Sequence, residues 1–240
     1  MEIGLEQIPA SNIRRLLAGD TEFLRGWAEG RGRGSVAFCL GIILFGAGSY
    51  GAAMGYWRAP LQALYVAIKF PLIVLFTTFG NALLNAMLAP LLGLNLTFRQ
   101  TCVTILMSFA IASAIMGSFS PLVVFLVWNA PIMDADLRIS GGAYSFIQLT
   151  HVGVIAFAGI VANLRLIQLL RELSGSIVVA RRVLVAWLAG NLFLGSQLSW
   201  IFRPFIGSPN LPVEFLRSTA FQGNFYESVF LSLGRLLHTH

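Results

Sequence analysis

His151 is the only histidine in this chain that falls inside a long apolar run. A histidine there could ligate haem, pair with a serine, or hydrogen-bond to a neighbouring helix. Haem ligation needs a second histidine on a facing helix, and the other two, His238 and His240, are terminal. Ser118 with His151 would make a dyad for proteolysis in the membrane, but both types are common and nothing in the sequence fixes their separation. No His-Glu-x-x-His or P-loop motif is present, and the apolar runs contain no acidic residue. The last point argues against a proton- or sodium-coupled transporter built on carboxylates. Cys39 and Cys102 lie in apolar runs, where a thiol packs as a small hydrophobe. The reading is therefore a non-enzymatic chain with no cofactor and no metal site.

The polar residues that remain are spaced for contact between helices. Asn191, Gly195, Ser199 and Arg203 recur every four residues and share one helix face; Gln197 lies off it. Trp200, Phe202, Arg203 and Pro204 follow in the order expected where a helix leaves hydrocarbon for the headgroups. Gln148 and His151 share a face with Tyr144. At 1.5 Å per residue, His151 and Gln197 sit roughly 9–11 Å inside the same boundary. The expectation is a pocket bounded by Gln148, His151, Gln197, Ser199 and Arg203, with the His151 partner coming from the last helix. Asn81 and Asn85, one turn apart, read with Asn191 as interhelical hydrogen-bonding residues. Gly41, Gly48 and Gly55 repeat every seven, and Gly51 with Gly55 forms a GxxxG, a face suited to close helix packing.

Such side chains need helices to position them, and the composition supplies helices of one kind. The chain has 240 residues, 57% of them hydrophobic and 11% charged, with net charge +6. Soluble domains carry about 25% charged residues, so lipid has to be the solvent here. Lys69 is the one lysine among sixteen basic residues. The bases flank apolar runs, a pattern of anionic headgroups and the positive-inside rule rather than of nucleic acid. Expected spans are 36–56, 71–92, 101–128, 144–164 and 183–202. In the third, Gly117 to Pro121 offers a kink, or a break into a span and a half-helix. Residues 59–69 read as an interfacial helix ending before Phe70-Pro71. The fold class is all-α, an integral membrane bundle of about five transmembrane helices plus interfacial amphipathic helices.

Three regions follow. Residues 1–35 read as a cytoplasmic amphipathic segment, either lying on an anionic membrane face or solvated. Residues 36–203 form the transmembrane domain, and 204–240 an extracytoplasmic segment with an amphipathic stretch from Phe225 to Leu237. Glu2 and Glu6 stand where a signal peptide needs positive charge, so no cleavable leader is expected. With the N-terminus inside, ten basic residues fall on the cytoplasmic side and six on the other, where Asp134 and Asp136 also lie.

The residues Pro60, Phe70-Pro71, Arg99-Gln100, Ser120-Pro121, His151, Gln197-Leu198-Ser199-Trp200 and Arg203-Pro204-Phe205 resemble a group of bacterial multi-pass proteins. That group is itself similar to the five-span Yip1-like membrane proteins. The resemblance implies five helices, a bacterial inner membrane and no particular reaction; eukaryotic Yip1 relatives act in membrane traffic by binding partners. The functional expectation is a scaffold, anchor or subunit of a membrane complex, with lipid and a protein partner or second copy around it. The alternative is a small channel or transporter whose path is lined by Asn81, Asn85, His151 and Gln197. A path needs these four in one wet cavity, and a scaffold needs them paired and dry.

Overall fold

The structure is a computed structural model and describes residues 10–32, 34–132, 137–207 and 211–227. Among the described residues every regular element is a helix. Two short helices, α1 (Ala10–Ala18) and α2 (Thr21–Ala28), precede five long ones: α3 (Ser35–Tyr56), α4 (Pro60–Leu91), α5 (Phe98–Trp128), α6 (Leu137–Ser174) and α7 (Ile177–Phe202). All five long helices are long and apolar enough to cross a membrane, α6 over Gly142–Ser174. The protein is an all-α, multi-pass helical bundle.

α3 is wedged between α4 and α5, and its glycines explain how. A Cβ on Gly51 or Gly55 would stand 2.5 or 2.6 Å from the Val66 or Gln62 carbonyl oxygen of α4. On the opposite side, Gly46 meets the Ser113 carbonyl of α5, and Gly117 of α5 lies against the Gly46 backbone. Small residues let the helix backbones close to contact, the main packing device where lipid removes the hydrophobic drive between helices. Gly48 makes ordinary contact with α4, but Gly41 is exposed with nothing within 4 Å of its Cβ direction. The packing face expected from Gly41, Gly48, Gly51 and Gly55 is thus corrected: Gly41 is not on it, and Gly46 serves a second face that the seven-residue repeat hides.

The boundary expected at Phe70-Pro71 is also corrected. α4 runs unbroken through Pro71 for 32 residues. Residues 60–69 are not a separate surface helix but the first turns of α4, with Gln62, Val66 and Lys69 buried on one face at i, i+4 and i+7 and Leu61, Leu64 and Ile68 exposed on the other. Burial against α3 outweighs the one backbone hydrogen bond that proline removes. α5 likewise continues through Pro121 as one helix, begun by a capping box in which Thr97 and Gln100 satisfy each other's backbone N–H groups. α6 outruns the span expected over 144–164 at both ends.

The N-terminal helices differ from expectation in what covers them. The Asp20 carboxylate caps α2 by accepting from Phe23 N at 3.1 Å. The apolar faces of α1 and α2 are spent on protein: Leu16, Leu24, Trp27 and Ala28 are buried in one cluster with Cys39 and Ile43 of α3 and Met107 of α5. Burial there leaves no free amphipathic face for lipid on these two helices, apart from partly exposed groups such as Ile13. Arg33, Asp134, Asp136 and most of the stretch from Phe225 to Leu237 lie outside the described residues, as do Glu2 and Glu6.

Candidate functional site

Three polar arrangements sit inside the bundle, and they are separate. The first joins α4 to α7. Asn81 Nδ2 donates to Asn191 Oδ1 at 2.6 Å and to the Trp187 carbonyl at 3.3 Å. Asn85 Nδ2 donates to Asn81 Oδ1 at 2.6 Å and to the Asn81 carbonyl at 2.8 Å. Gly190 lies against Asn81 Oδ1 and leaves it room. Asn81 and Asn85 are fully buried, so this is a dry chain of amides between two helices.

The second joins α6 to α3. His151 is buried, and its Nδ1 lies 2.9 Å from Tyr50 Oη. The two rings meet edge to face with centroids 5.6 Å apart, and Tyr50 in turn contacts Phe70 of α4. His151 Nε2 has no partner among the described residues. The partner of His151 therefore comes from α3, not from the last helix as expected. The physical reason is where α6 and α7 meet: Leu166 and Leu170 pack with Ala180, Val183 and Trp187, all near the Ser174–Ile177 turn. At the depth of His151, α6 packs instead on α3 and α5, through Ile147, Val154 and Ala158. The pocket expected from Gln148, His151, Gln197, Ser199 and Arg203 is not assembled. Gln148 is exposed, and Gln197 and Ser199 are half-buried without a hydrogen-bond partner among the described residues.

The third arrangement was not legible beforehand and is the most unusual chemically. Pro204 packs beside Lys69, so α7 stops opposite the second or third turn of α4, with Pro60 nine residues and roughly 13 Å further on. Beyond α7 the chain is irregular but packs against α4, where buried backbone groups need partners. Two buried side chains of α4 supply the missing partners. Gln62 Nε2 donates to the Pro204 and Phe205 carbonyls at 3.0 and 2.9 Å. Lys69 Nζ donates to the Pro204 and Glu214 carbonyls, both at 3.3 Å. The Lys69 ammonium also lies 5.2 Å from the centre of the Phe215 ring. Lys69, the chain's one lysine, is fully buried, a rare position for that residue type.

Arg203 closes this end of α7. Its guanidinium sits 3.5 Å over the Trp200 ring, and Nη1 donates to the Trp200 carbonyl at 2.9 Å. Burial, with the like charge of Arg217 second, holds Arg203 below its ordinary value. From there the chain turns back along α7: Trp200 Nε1 donates to the Gln222 carbonyl, and Tyr226 stacks on Phe193 at 5.8 Å. Sequence reading placed Lys69 as a flank of a surface helix. The signal that could have found it is the i, i+4, i+7 spacing of Gln62, Val66 and Lys69.

Comparison of the chain with family models, with curated proteins and with solved structures finds no match in any of the three.

Proposed function

We propose that the protein is a non-enzymatic scaffold or subunit of a membrane complex, set in a bacterial inner membrane with its N-terminus cytoplasmic. One observation carries the reading: Asn81, Asn85 and Asn191 hydrogen-bond to one another in a dry interface, away from the Tyr50–His151 pair. A path lined by Asn81, Asn85, His151 and Gln197 would need these groups in a common cavity. The surface supports the same reading. α7 is the least covered of the five spans, and in its last turns Gln197 presents a half-exposed amide with no partner among the described residues. An amide at that depth is costly in lipid and is satisfied by a partner helix or a second copy. The resemblance to Yip1-like proteins, whose eukaryotic relatives bind partners, points the same way.

The test is cross-linking in native membranes through a single cysteine at Ser196 in a chain without Cys39 and Cys102. A product of fixed stoichiometry, a dimer or one with a defined second subunit, is expected, and Gln197→Leu should reduce its yield. A chain that yields no such product, yet conducts ions or solute in proteoliposomes, would replace the scaffold with the channel. Orientation has its own check: a cysteine at Ser140 should label with an impermeant reagent from outside, and one at Ser174 should not.

A further inference from the structure

We infer that the groove between α3 and α4, floored by α5, holds one acyl chain of an anionic phospholipid, with the headgroup phosphate at Arg99 and the start of α3. Glycines close α3 onto α4 only in its second half, at Gly48, Gly51 and Gly55. In the first half a groove of about 200 Å³ runs between Val36 and Leu40 of α3, Leu75 and Phe79 of α4, and Val103 and Leu106 of α5. Val103 and Leu106 are buried at its floor, whereas Val36 and Phe79 stand exposed at its rim. The groove offers water little to bind. The Thr78 hydroxyl on its wall donates to the Val74 carbonyl at 2.7 Å, and Cys102 brings only a weakly polar thiol. An apolar cavity of about 150 Å³ already stays dry and takes apolar ligands, so in a bilayer a hydrocarbon tail is the fitting occupant.

Charge marks the mouth. Val36 is the second residue of α3 and Cys102 the fifth of α5, so the groove opens where both helices begin. Arg99 precedes Cys102 and Val103 by three and four residues, which puts it on their face of α5, one turn nearer the headgroups. Its guanidinium lies against Gly30, in the connection that leads into α3. Arg99 is exposed and has no ion pair among the described residues, whereas Glu29, beside Gly30, is taken by Arg25 and Arg31. α3 also begins without a side-chain cap, and Gly34, Val36 and Ala37 are exposed there. Free N–H groups at a helix start suit a phosphate oxygen, and a guanidinium suits it too. The anion site and the apolar groove adjoin at Val36, as headgroup and tail adjoin in one lipid.

The experiment uses the full chain in phosphatidylcholine nanodiscs doped with one photoreactive lipid at a time. The probes are phosphatidylglycerol and phosphatidylcholine, each with a diazirine in one acyl chain; they share tail and phosphate and differ in net charge. Phosphatidylglycerol should label Phe79 and Leu106 ahead of Leu149 and Ile160 of α6, which are as exposed as Phe79. Labelling of the buried Leu106 separates a chain in the groove from lipid around the bundle. Arg99→Gln, a change at an exposed side chain, should lower the phosphatidylglycerol yield about fivefold. Arg14→Gln, which removes an exposed charge on α1, should leave it unchanged. Cys102→Phe should fill the groove and abolish the Leu106 label with either probe. Labelling spread evenly over α6, equal yields from the two lipids, or an unchanged yield in Arg99→Gln would overturn the proposal. A disulfide-linked dimer formed in high yield through Phe79→Cys, in a chain without Cys39 and Cys102, would place a second copy there and overturn it as well.

Discussion

α3 and α7 are apolar helices of similar length, 22 and 26 residues, and both pack on α4 by different means. α3 does so with absent side chains: Gly51 and Gly55 admit the α4 backbone, and Gly46 admits α5. Its contacts leave Ile43, Ala47 and Tyr50 with no exposed surface. α7 does so with present ones, through Asn191 and the Trp187 carbonyl to Asn81 of α4. It stays largely uncovered and ends level with Lys69, short of the end of α4 that α3 reaches with Gly55. Backbone contact between glycines is rigid and intolerant of added volume, whereas an amide bridge between helices is worth only about 0.6–2 kcal/mol. α3 is thus built as the fixed centre, and α7 as a helix free to present a face.

The sharpest way to break this contrast is to add volume on α3. Gly46→Val would drive a side chain into the Ser113 backbone, and a loss of about 3 kcal/mol or more is expected, read as failure to give a monodisperse, thermally stable peak in detergent. Gly41→Val, in open space, is the control and should match the parent. Equal tolerance at both positions would mean that α3 does not touch α5 as described.

A smaller effect belongs to the α7 exit. Lys69→Met removes the donor that two backbone carbonyls share, at an expected cost of about 2 kcal/mol. It should show first as tryptic cleavage at Arg217 in membranes where the parent resists. A protected Arg217 in this variant would show that Gln62 alone holds the segment.

Smaller again is Asn81→Leu, for which about 1 kcal/mol is expected. Cross-links between α4 and α7 should fall while those between α3 and α4 persist. Equal loss in both pairs would erase the distinction between the two helices.

The smallest effect lies outside the spans. The backbone N–H of Phe23, and after it the Arg15 side chain, hold the Asp20 carboxyl below its ordinary 3.8. A depressed carboxyl gives stability that is present above about pH 4 and is lost as pH falls through the lower folded value. Fluorescence of Trp27, isolated by difference from Trp27→Phe, should therefore shift below pH 4 and hold steady from pH 5 to 7. A shift already complete at pH 5 would point to another group.

Composition and hydropathy by themselves determined that five helices cross a membrane, because a run of about twenty uncharged apolar residues has no other stable home. The α2 cap is a matter of local chemistry, since the Asp20–Phe23 bond is made inside one turn. The amide spacing of Asn81 and Asn85 showed which face of α4 seeks a neighbour, but not which neighbour. Only the tertiary structure decided that His151 meets Tyr50, 101 residues away, because helix order around the bundle is set by which backbones can approach most closely. It also decided that Lys69 is buried under the segment that follows α7, and, for the same reason as the helix order, that α4 runs through Pro71. Burial on α3 is a sum over many contacts, each too weak and too distant in sequence to leave a mark at Phe70-Pro71.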